Sequence, residues 1–376
     1  MDKWESFRGQ FPVCDEYVYL NHAAVSPLPL LAKQKMDQYL EERTKHGAAH
    51  YPDVIWEMLT NGRNLGAQLL NTKPDQIFFV RSTSQGLGVA ATGIPFEAGD
   101  NLVLVEKEFP ANLRPWMPLK RRGVDVRLVP QRQGRVLIDD LAAAMDDRTR
   151  AVSVSFVQFL SGFRIDCAKV GELCRKHDAL FVVDAIQGIG AFDLDVEACG
   201  VDFVSACSHK WMLGPEGAGL GYASPRALER IVPALEGWLA VENPFDFFDL
   251  EQPLKSTAAR YEEGAYNSVG LAGMLGSLEL LLSIGIDQLS ERIIGLSDYV
   301  VEGLKTRGWQ VHSPRKTKAE KSGIVLASKE GVDSEELGKR LKAEKIELSL
   351  RAGALRIAPH GYNTNEDLDR LLALLK

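Results

Sequence analysis

The sequence is poor in cysteine and in uninterrupted apolar segments, and it has no excess of positive charge. Five cysteines occur in 376 residues, an odd number without C-x-x-C spacing, which argues against a disulfide framework and a zinc site. No charge-free apolar run reaches the roughly 18 residues of a membrane-spanning helix. The net charge is −7, from 51 acidic and 44 basic residues. The composition therefore lacks the excess of positive charge that is typical of proteins that bind nucleic acid.

The N-terminal residues contain no apolar signal core, which predicts a cytoplasmic location. With the absences above, the expected partners are small molecules. We therefore predict no metal, nucleic acid or membrane as a ligand.

Short runs rich in β-branched and aromatic residues alternate with helical patterns. Seven runs are predicted as strands: Ile77–Val80, Leu102–Val105, Val124–Val129, Ala151–Val157, Leu180–Val183, Phe203–Ala206 and Leu220–Tyr222. The apolar spacing of Leu113–Arg122, Leu141–Met145 and Val170–His177 predicts crossover helices between them. Crossover helices imply a mainly parallel seven-stranded sheet in an α/β domain.

A smaller α+β unit is predicted after a long helical connection, Leu271–Arg307, with a possible break at Gly285. Its elements are the strands Ile324–Ala327, Ile346–Leu350 and Ala354–Ala358 and the helices Ser334–Glu344 and Asn365–Leu375. The predicted division is an N-terminal helical segment packing on both domains (1–70), a large α/β domain (71–265), and the connecting helix with the small C-terminal domain (266–376).

A lysine follows one of the predicted strands. Lys210 lies just past the carboxyl end of Phe203–Ala206, at the edge where open α/β sheets bind ligands. A lysine whose pKa is lowered by burial and nearby cations forms imines with carbonyl groups such as an aldehyde cofactor. Taken alone, the position also fits an ordinary surface lysine.

An acidic residue, Asp184, ends the preceding apolar strand. A carboxylate there can hold a protonated pyridine nitrogen, the pairing that makes pyridoxal 5′-phosphate (PLP) an electron sink. Gln187, one turn further on, can donate a hydrogen bond to the phenolic oxygen of that ring. The alternative is that Asp184 only caps the following segment.

The third motif is the segment Phe78–Gly86, in which a strand runs through hydroxyl residues into a helix of small residues. Backbone N–H groups and the hydroxyls of Thr83 and Ser84 at a helix N-terminus form a site suited to a phosphate. His209 can add a further phosphate donor. A plain N-cap would have the same pattern.

Together these motifs resemble the class V aminotransferases, which are fold-type I PLP enzymes that include the cysteine desulfurases. The resemblance covers nearly the whole chain, with several motifs in the same order. They are Tyr19–Ala24, Thr83-Ser84, Asp184 with Gln187, His209-Lys210, Arg260–Gly264 and Arg356. The resemblance implies the fold-type I architecture, PLP as the cofactor and a homodimer with composite active sites.

The resemblance also implies cofactor contacts for eight residues. They are Lys210 as the Schiff-base lysine, Asp184 as the pyridinium partner, Gln187 and Gln158 near the ring oxygen O3′, Phe109 on the ring face, and Thr83, Ser84 and His209 at the phosphate. An aromatic side chain on the ring face agrees with the electrostatics of stacked rings, although Phe109 also fits an ordinary core position. Lys210 and Asp184 are the predicted catalytic residues.

Three residues are predicted on the substrate side. The resemblance implies that Arg356 clamps the substrate carboxylate, for which a guanidinium offers bidentate geometry. Asn21 and His22 fall on the expected substrate side. His22 is either a second acid/base or a hydrogen-bonded core histidine.

The chain departs from the desulfurase pattern at its reactive cysteine. No cysteine lies beyond Cys207, so persulfide formation by the desulfurase route lacks its sulfur acceptor. Phe109 occupies the stacking position of a histidine and cannot transfer a proton, which leaves Lys210 as the general acid/base. Cys207 and Ala265 replace a serine and a threonine that commonly contact the phosphate.

The predicted function is chemistry at the α-carbon of an amino acid, with transamination and a keto acid product as the leading hypothesis. A PLP-dependent lyase or epimerase remains an alternative, because these reactions use the same cofactor and lysine. A PLP-binding protein without turnover is the non-enzymatic alternative.

Overall fold

A computed structural model gives the structure of the protein and describes residues 2–375. Eleven described segments are α-helices: α1 Lys3–Arg8, α2 Leu30–His46, α3 Tyr51–Leu70, α4 Thr83–Gly93, α5 Ile138–Ala144, α6 Cys167–Lys176, α7 Pro225–Arg230, α8 Ser268–Ile284, α9 Ile286–Lys305, α10 Ser334–Ala343 and α11 Asn365–Leu374. Thirteen are β-strands: β1 Val18–Tyr19, β2 Ile77–Val80, β3 Asn101–Val105, β4 Asp125–Val129, β5 Thr149–Ser155, β6 Leu180–Asp184, β7 Phe203–Cys207, β8 Gly219–Ala223, β9 Gln310–Val311, β10 Val325–Ser328, β11 Ile346–Glu347, β12 Ser349–Arg351 and β13 Ala354–Ile357.

The large sheet has seven strands in the order β2-β8-β7-β6-β5-β3-β4. β8 is antiparallel to both of its neighbours, and every other pair is parallel. The central strands β3, β6 and β7 are buried at every position, as expected for a parallel sheet covered by helices on both faces. The α/β class and the mainly parallel seven-stranded sheet are confirmed.

The sheet brings distant parts of the chain to one edge. Because β2 and β7 are both antiparallel to β8, β2 runs in the same direction as β3, β5, β6 and β7. The carboxyl ends of these five strands therefore meet. Asp184 is the last residue of β6, and the segments that leave this edge carry Thr83, Phe109, Gln158 and Lys210.

Helix α4 lies very close to the sheet because of Gly86. A Cβ atom at this position would lie only 2.3 Å from Oγ of Ser205 in β7. The same hydroxyl donates to the carbonyl oxygen of Thr83 at 3.1 Å. Glycine thus allows the first turn of α4 to dock at the carboxyl end of β7.

One predicted crossover helix has a different type. The segment Arg114–Arg122 is a 3₁₀ helix rather than an α-helix. Pro115 and Pro118 lack backbone N–H donors, and Pro118 lies inside the element, so an α-helical ladder cannot continue through it. The other two predicted crossover helices are present as α5 and α6.

The C-terminal part of the chain forms an antiparallel sheet, β12-β13-β10-β9, whose apolar residues share a core with α9, α10 and α11. The predicted single strand Ile346–Leu350 was wrong: it divides into β11, which pairs with β1, and β12, which pairs with β13. Because β1 belongs to the N-terminal segment, this split ties that segment to the C-terminal unit. The domain boundaries at 70 and 265 stay predictions.

The long helical connection consists of α8 and α9, which meet at 83°. Gly285 lies at the break with φ of 91°, in the left-handed region that favours glycine. Of the helices in residues 2–375, no single one is long and apolar enough to cross a bilayer. The bent pair α8 and α9 taken together has the length and composition of a membrane-spanning segment, and this is its only such property. Most of α8 is buried, against α2 and α3 among others.

Candidate active site

A cavity of about 360 Å³ lies at the carboxyl edge of the large sheet. Its wall includes seven of the eleven predicted site residues: Thr83, Ser84, Phe109, Gln187, His209, Lys210 and Arg356. Asp184 and Gln158 are buried outside this wall, as is His22, while Asn21 is half-buried. The structure therefore brings together most of the residues that the sequence analysis selected.

Lys210 is buried in the wall beside an aromatic ring. Its Nζ atom lies 5.3 Å from the ring centroid of Phe109. Burial lowers the pKa of Lys210, the attraction of Asp184 opposes this effect, and the positive charge of Arg356 adds to it. A lysine with a lowered pKa has more of the neutral amine that attacks carbonyl carbon or accepts a proton.

Asp184 ends β6 and is 2% exposed. Burial raises the pKa of Asp184, the nearby carboxyl group of Glu108 raises it further, and the N–H of Ile186 and the charge of Lys210 oppose the shift. A buried carboxylate with this environment is stabilised by any cation placed beside it. A protonated pyridine nitrogen would be such a cation.

Glu108 is a buried residue that the sequence analysis missed as a site residue. Its carboxylate accepts hydrogen bonds from the backbone N–H of Ser155 at 2.8 Å and from the amide of Gln158 at 2.9 Å. The other end of the Gln158 amide accepts from Gln131 at 2.8 Å. Gln158 is thus held at both ends behind the wall, and its contact with O3′ stays a prediction. The only sequence signal for Glu108 was an acidic residue shortly after β3.

The first turn of α4 and His209 lie in the cavity wall, where the sequence predicts the phosphate site. Oγ of Ser82 accepts the N–H of Gln85 at 3.1 Å and caps the helix. The next residues, Thr83 and Ser84, lie in the wall, and their N–H groups belong to the turn that lacks intrahelical acceptors. Nδ1 of His209 is buried without a partner in the described protein. These donors fit a phosphate.

Arg356 projects from β13 and is 2% exposed. Its Nη1 donates to the carbonyl oxygen of Phe159 at 2.9 Å, and its Nη2 donates to Oγ of Ser349 at 3.0 Å. Burial lowers the pKa of Arg356 to about 10, and the charge of Arg351 adds to this effect. Nε of Arg356 is buried without a partner among the described residues, so the guanidinium still has a donor for a carboxylate.

Asn21 is connected to Arg356 through the hydroxyl group of Ser349. Its Oδ1 accepts the hydroxyl of Ser349 at 2.6 Å, and its Nδ2 donates to Glu347 at 3.2 Å. Ser349 in turn accepts Nη2 of Arg356. The structure therefore links Asn21 to the cavity through Arg356, and its direct contact with substrate stays a prediction.

His22 is fully buried, and both ring nitrogens have partners within the protein. Nδ1 lies 2.7 Å from the carbonyl oxygen of Ala358, and Nε2 lies 2.8 Å from the hydroxyl of Tyr362. Burial lowers the pKa of His22 to about 4. This placement fits the hydrogen-bonded core histidine of the two alternatives, and a substrate contact stays a prediction.

We expect His22 to make the fold sensitive to acid. The unfolded chain binds a proton near the ordinary pKa of about 6.5, whereas the folded chain does so only near pH 4. The contribution of His22 is therefore complete above pH 6.5 and is lost as the pH falls towards 4, a change of roughly 3 kcal/mol. Urea unfolding of the wild type and His22→Gln between pH 7 and 4.5 measures it.

The His22→Gln variant should lose less stability on acidification than the wild type does. The free energy of unfolding of this variant should still fall with pH, because burial also lowers the pKa of the neighbouring His360. His312→Gln, which removes an exposed imidazole, is the matched control. If the free energy of unfolding falls equally with pH in the wild type and in His22→Gln, and the variant also loses turnover, His22 contacts the substrate instead.

The described residues also contain one cluster with metal-ligand chemistry, although the sequence analysis predicted no metal. Ligand atoms of Glu42, His46 and His50 lie within 4.8 Å of one another. Both imidazoles already contact the Glu42 carboxylate at 2.8 Å. The cluster is outside the wall of the cavity.

Comparisons with known proteins find similar sequences along nearly the whole chain. The family model for class V aminotransferases matches residues 18–371. A probable cysteine desulfurase of Methanothermobacter thermautotrophicus is 28% identical over 396 residues, covering 98% of this chain and 96% of the relative. A cysteine desulfurase of Salmonella agona is 26% identical, with 98% of this chain and 96% of the relative covered.

The structural comparison confirms the fold-type I architecture. The apo structure of a cysteine desulfurase from Thermococcus onnurineus NA1 superposes with a TM-score of 0.90 at 24% identity. The superposition covers 98% of this chain and 96% of that one. At this identity the likeness is evidence for the fold alone.

The cavity fits PLP, the cofactor that the family match confirms. The unpartnered Nδ1 of His209 and the first turn of α4 offer donors for its phosphate. The Phe109 side chain in the wall is 43% exposed and offers a face for an aromatic ring. Asp184 and Lys210 provide the carboxylate and the amine that the cofactor requires.

Proposed function

Because the chain belongs to the class V aminotransferase family, we propose that it is an aminotransferase that converts an amino acid into a keto acid. The observation that carries this proposal is the placement of Lys210. Among the described residues of the wall it is the only lysine, and burial lowers its pKa. It is thus suited to accept a proton and to return it.

The side chains divide the work between binding and proton transfer. Bound PLP supplies an electron sink for negative charge at the α-carbon. Arg356 holds the α-carboxylate and so fixes the orientation of the substrate. Lys210 would accept the proton of the substrate α-carbon and hold it for return. Phe109 covers the site without competing for this proton, because its side chain has no acidic or basic group.

Asp184 controls the charge at the far end of the cofactor site. Its carboxylate would hold the ring nitrogen in the protonated form, which increases electron withdrawal from the α-carbon. The N–H of Ile186 fixes the carboxylate by a 3.1 Å hydrogen bond to Oδ1. Glu108 raises the pKa of Asp184, so the pair favours retention of a proton at this end of the site.

The second candidate is a lyase reaction, because relatives carry the name cysteine desulfurase. Persulfide formation is disfavoured by two features of this chain. Cys207 is the last cysteine, and burial raises its pKa while its Sγ donates to the carbonyl oxygen of Ala218 at 3.2 Å. The β12–β13 turn has only Ala352 and Gly353 between its strands. Elimination at a side-chain bond needs no sulfur acceptor.

Absorbance of the PLP-loaded protein with a panel of amino acids separates these reactions. Conversion of the cofactor to pyridoxamine phosphate with one equivalent of keto acid is the result expected for transamination. Keto acid with ammonia and an unchanged cofactor would identify a lyase. A cysteine-dependent persulfide formed as fast as the best turnover would overturn the exclusion of sulfur transfer, and silence across the panel would favour a binding protein.

We further propose a homodimer, on the basis of an exposed aromatic surface formed by Trp56, Trp238, Phe245, Phe247 and Phe248. The first four rings contact one another with centroids 6.0–6.4 Å apart. Phe248 is 94% exposed. Contiguous exposed apolar surface of this kind is typical of an interaction site. Sedimentation should give twice the mass of one chain, and an active monomer at assay concentration would contradict this proposal.

A further inference from the structure

The β12–β13 hairpin carries two arginines to the cavity. Arg351 pairs with Ala354, and Ser349 pairs with Arg356, so these four side chains lie on one face of the hairpin. The intervening leucines face the core of the C-terminal unit. Ala352 and Gly353 both have positive φ, 51° and 73°, as a tight two-residue turn requires.

Arg351 therefore adds a second guanidinium to the wall that already contains Arg356. Its Nη1 donates to the carbonyl oxygen of Leu350 at 2.8 Å, and the described protein offers it no acidic partner. Its positive charge lowers the pKa of both Lys210 and Arg356, the two other cationic side chains named above in this wall. Among the described residues of the wall, none is an Asp or a Glu.

The other cations and hydrogen-bond donors of the cavity are already assigned to groups of the cofactor or the substrate. The first turn of α4 and His209 suit the cofactor phosphate, and the buried Arg356 suits the α-carboxylate. Lys210 is needed as the amine. Arg351 is exposed, and it is the one cation in the described wall for which these assignments leave no anion.

We propose that Arg351 binds a second acidic group, on the side chain of the substrate. The preferred substrate is then an amino acid with a side-chain carboxylate, and Arg351 is a specificity-determining residue. This inference rests on the aminotransferase-type site proposed above, in which Arg356 takes the α-carboxylate. An amide side chain of the same shape could accept a hydrogen bond from Arg351 but would leave its charge uncompensated.

The test compares aspartate with asparagine, and glutamate with glutamine, on the PLP-loaded protein. Absorbance titration should show the acid of at least one pair bound about five- to fiftyfold more tightly than its amide, the range between an exposed ion pair and a charge-assisted hydrogen bond. Arg351→Gln should bring this ratio close to one, because the acid loses an ion pair while the amide loses at most one hydrogen bond. Arg121→Gln removes an exposed positive charge outside the cavity wall and should leave the ratio unchanged.

A second measurement does not depend on turnover. Succinate carries two carboxylates and butyrate one, and neither has an amino group to react. Succinate should protect the PLP-loaded wild type against thermal unfolding at lower concentration than butyrate does. Arg351→Gln should remove this difference, whereas Arg356→Gln should weaken both ligands.

The outcomes separate this inference from the proposed function. If neutral amino acids react and acids gain nothing from Arg351, the acidic-substrate assignment is wrong while the aminotransferase proposal stands. If no amino acid reacts but succinate depends on Arg351, the proposed reaction fails while the second anion site stands. Weaker PLP binding in Arg351→Gln, with no change in the acid-to-amide ratio, would assign Arg351 to the cofactor phosphate and overturn the inference.

Discussion

Replacement of Lys210 by alanine should reduce turnover by about 10²- to 10⁴-fold, the usual contribution of a positioned general acid/base. No other lysine lies in the described wall of the cavity, and Phe109 cannot substitute for it. Borohydride treatment of the PLP-loaded wild type should leave a covalent label on Lys210. Peptide mapping locates the label, and steady-state assays measure the loss.

A matched control for this variant is Lys255→Ala. Lys255 is half-buried, and burial lowers its pKa as well, but it is outside the cavity wall. Its replacement should leave turnover and labelling unchanged. A label on a lysine other than Lys210, or wild-type turnover in Lys210→Ala, would refute the assignment. Partial recovery of Lys210→Ala with an added small amine would support it, since the truncated side chain leaves room for one.

Replacement of Arg356 by glutamine should weaken amino-acid binding by about ten- to a hundredfold while PLP stays bound. A hydrogen bond to a charged group contributes roughly 1.5–3 kcal/mol, and each 1.4 kcal/mol is tenfold in affinity. Arg356→Lys should restore only part of the affinity, because an ammonium group keeps the charge but lacks the fork. Absorbance titration with amino acids measures the change.

Folding must be checked separately, because Arg356 is buried and its Nη1 bonds to Phe159. Ser349→Ala is the informative companion: it removes the acceptor of Nη2 but leaves the guanidinium in place. It should reduce amino-acid affinity less than Arg356→Gln does. Normal amino-acid binding by a folded Arg356→Gln protein would show that the α-carboxylate binds elsewhere, and loss of PLP would indicate a cofactor contact instead.

The fold was largely readable from local sequence patterns. Short apolar runs marked all seven strands of the large sheet, because most of these strands are buried and need nearly continuous apolar side chains. The positions of Asp184 and Lys210 followed from the same runs, since each residue stands at a strand's carboxyl end. Where proline interrupts the helical spacing in Arg114–Arg122, the pattern predicted the wrong helix type.

Residues that act through distant neighbours were harder to predict. Glu108 is remote in sequence from Asp184, and nothing in the pattern near either residue indicates that they interact. His22 lies in the motif Tyr19–Ala24, which does not indicate its hydrogen-bond partners. These partners, Ala358 and Tyr362, are more than 330 residues away in the sequence. Arg351 had a readable signal, the alternation Ser349, Arg351, Ala354 and Arg356 around a two-residue turn, that the sequence analysis did not use.

The amino-acid sequence alone established the fold class, the edge of the sheet that carries the chemistry, and the absence of a cysteine after Cys207. These features depend on short-range periodicity and on residue identity. The pKa shifts of Asp184 and Lys210, the shielding of His22 from solvent and the arrival of the β12–β13 hairpin at the cavity depended on tertiary packing. The reason is that desolvation and charge interactions are set by residues far apart in the chain, which approach one another only when the sheet and the C-terminal unit assemble.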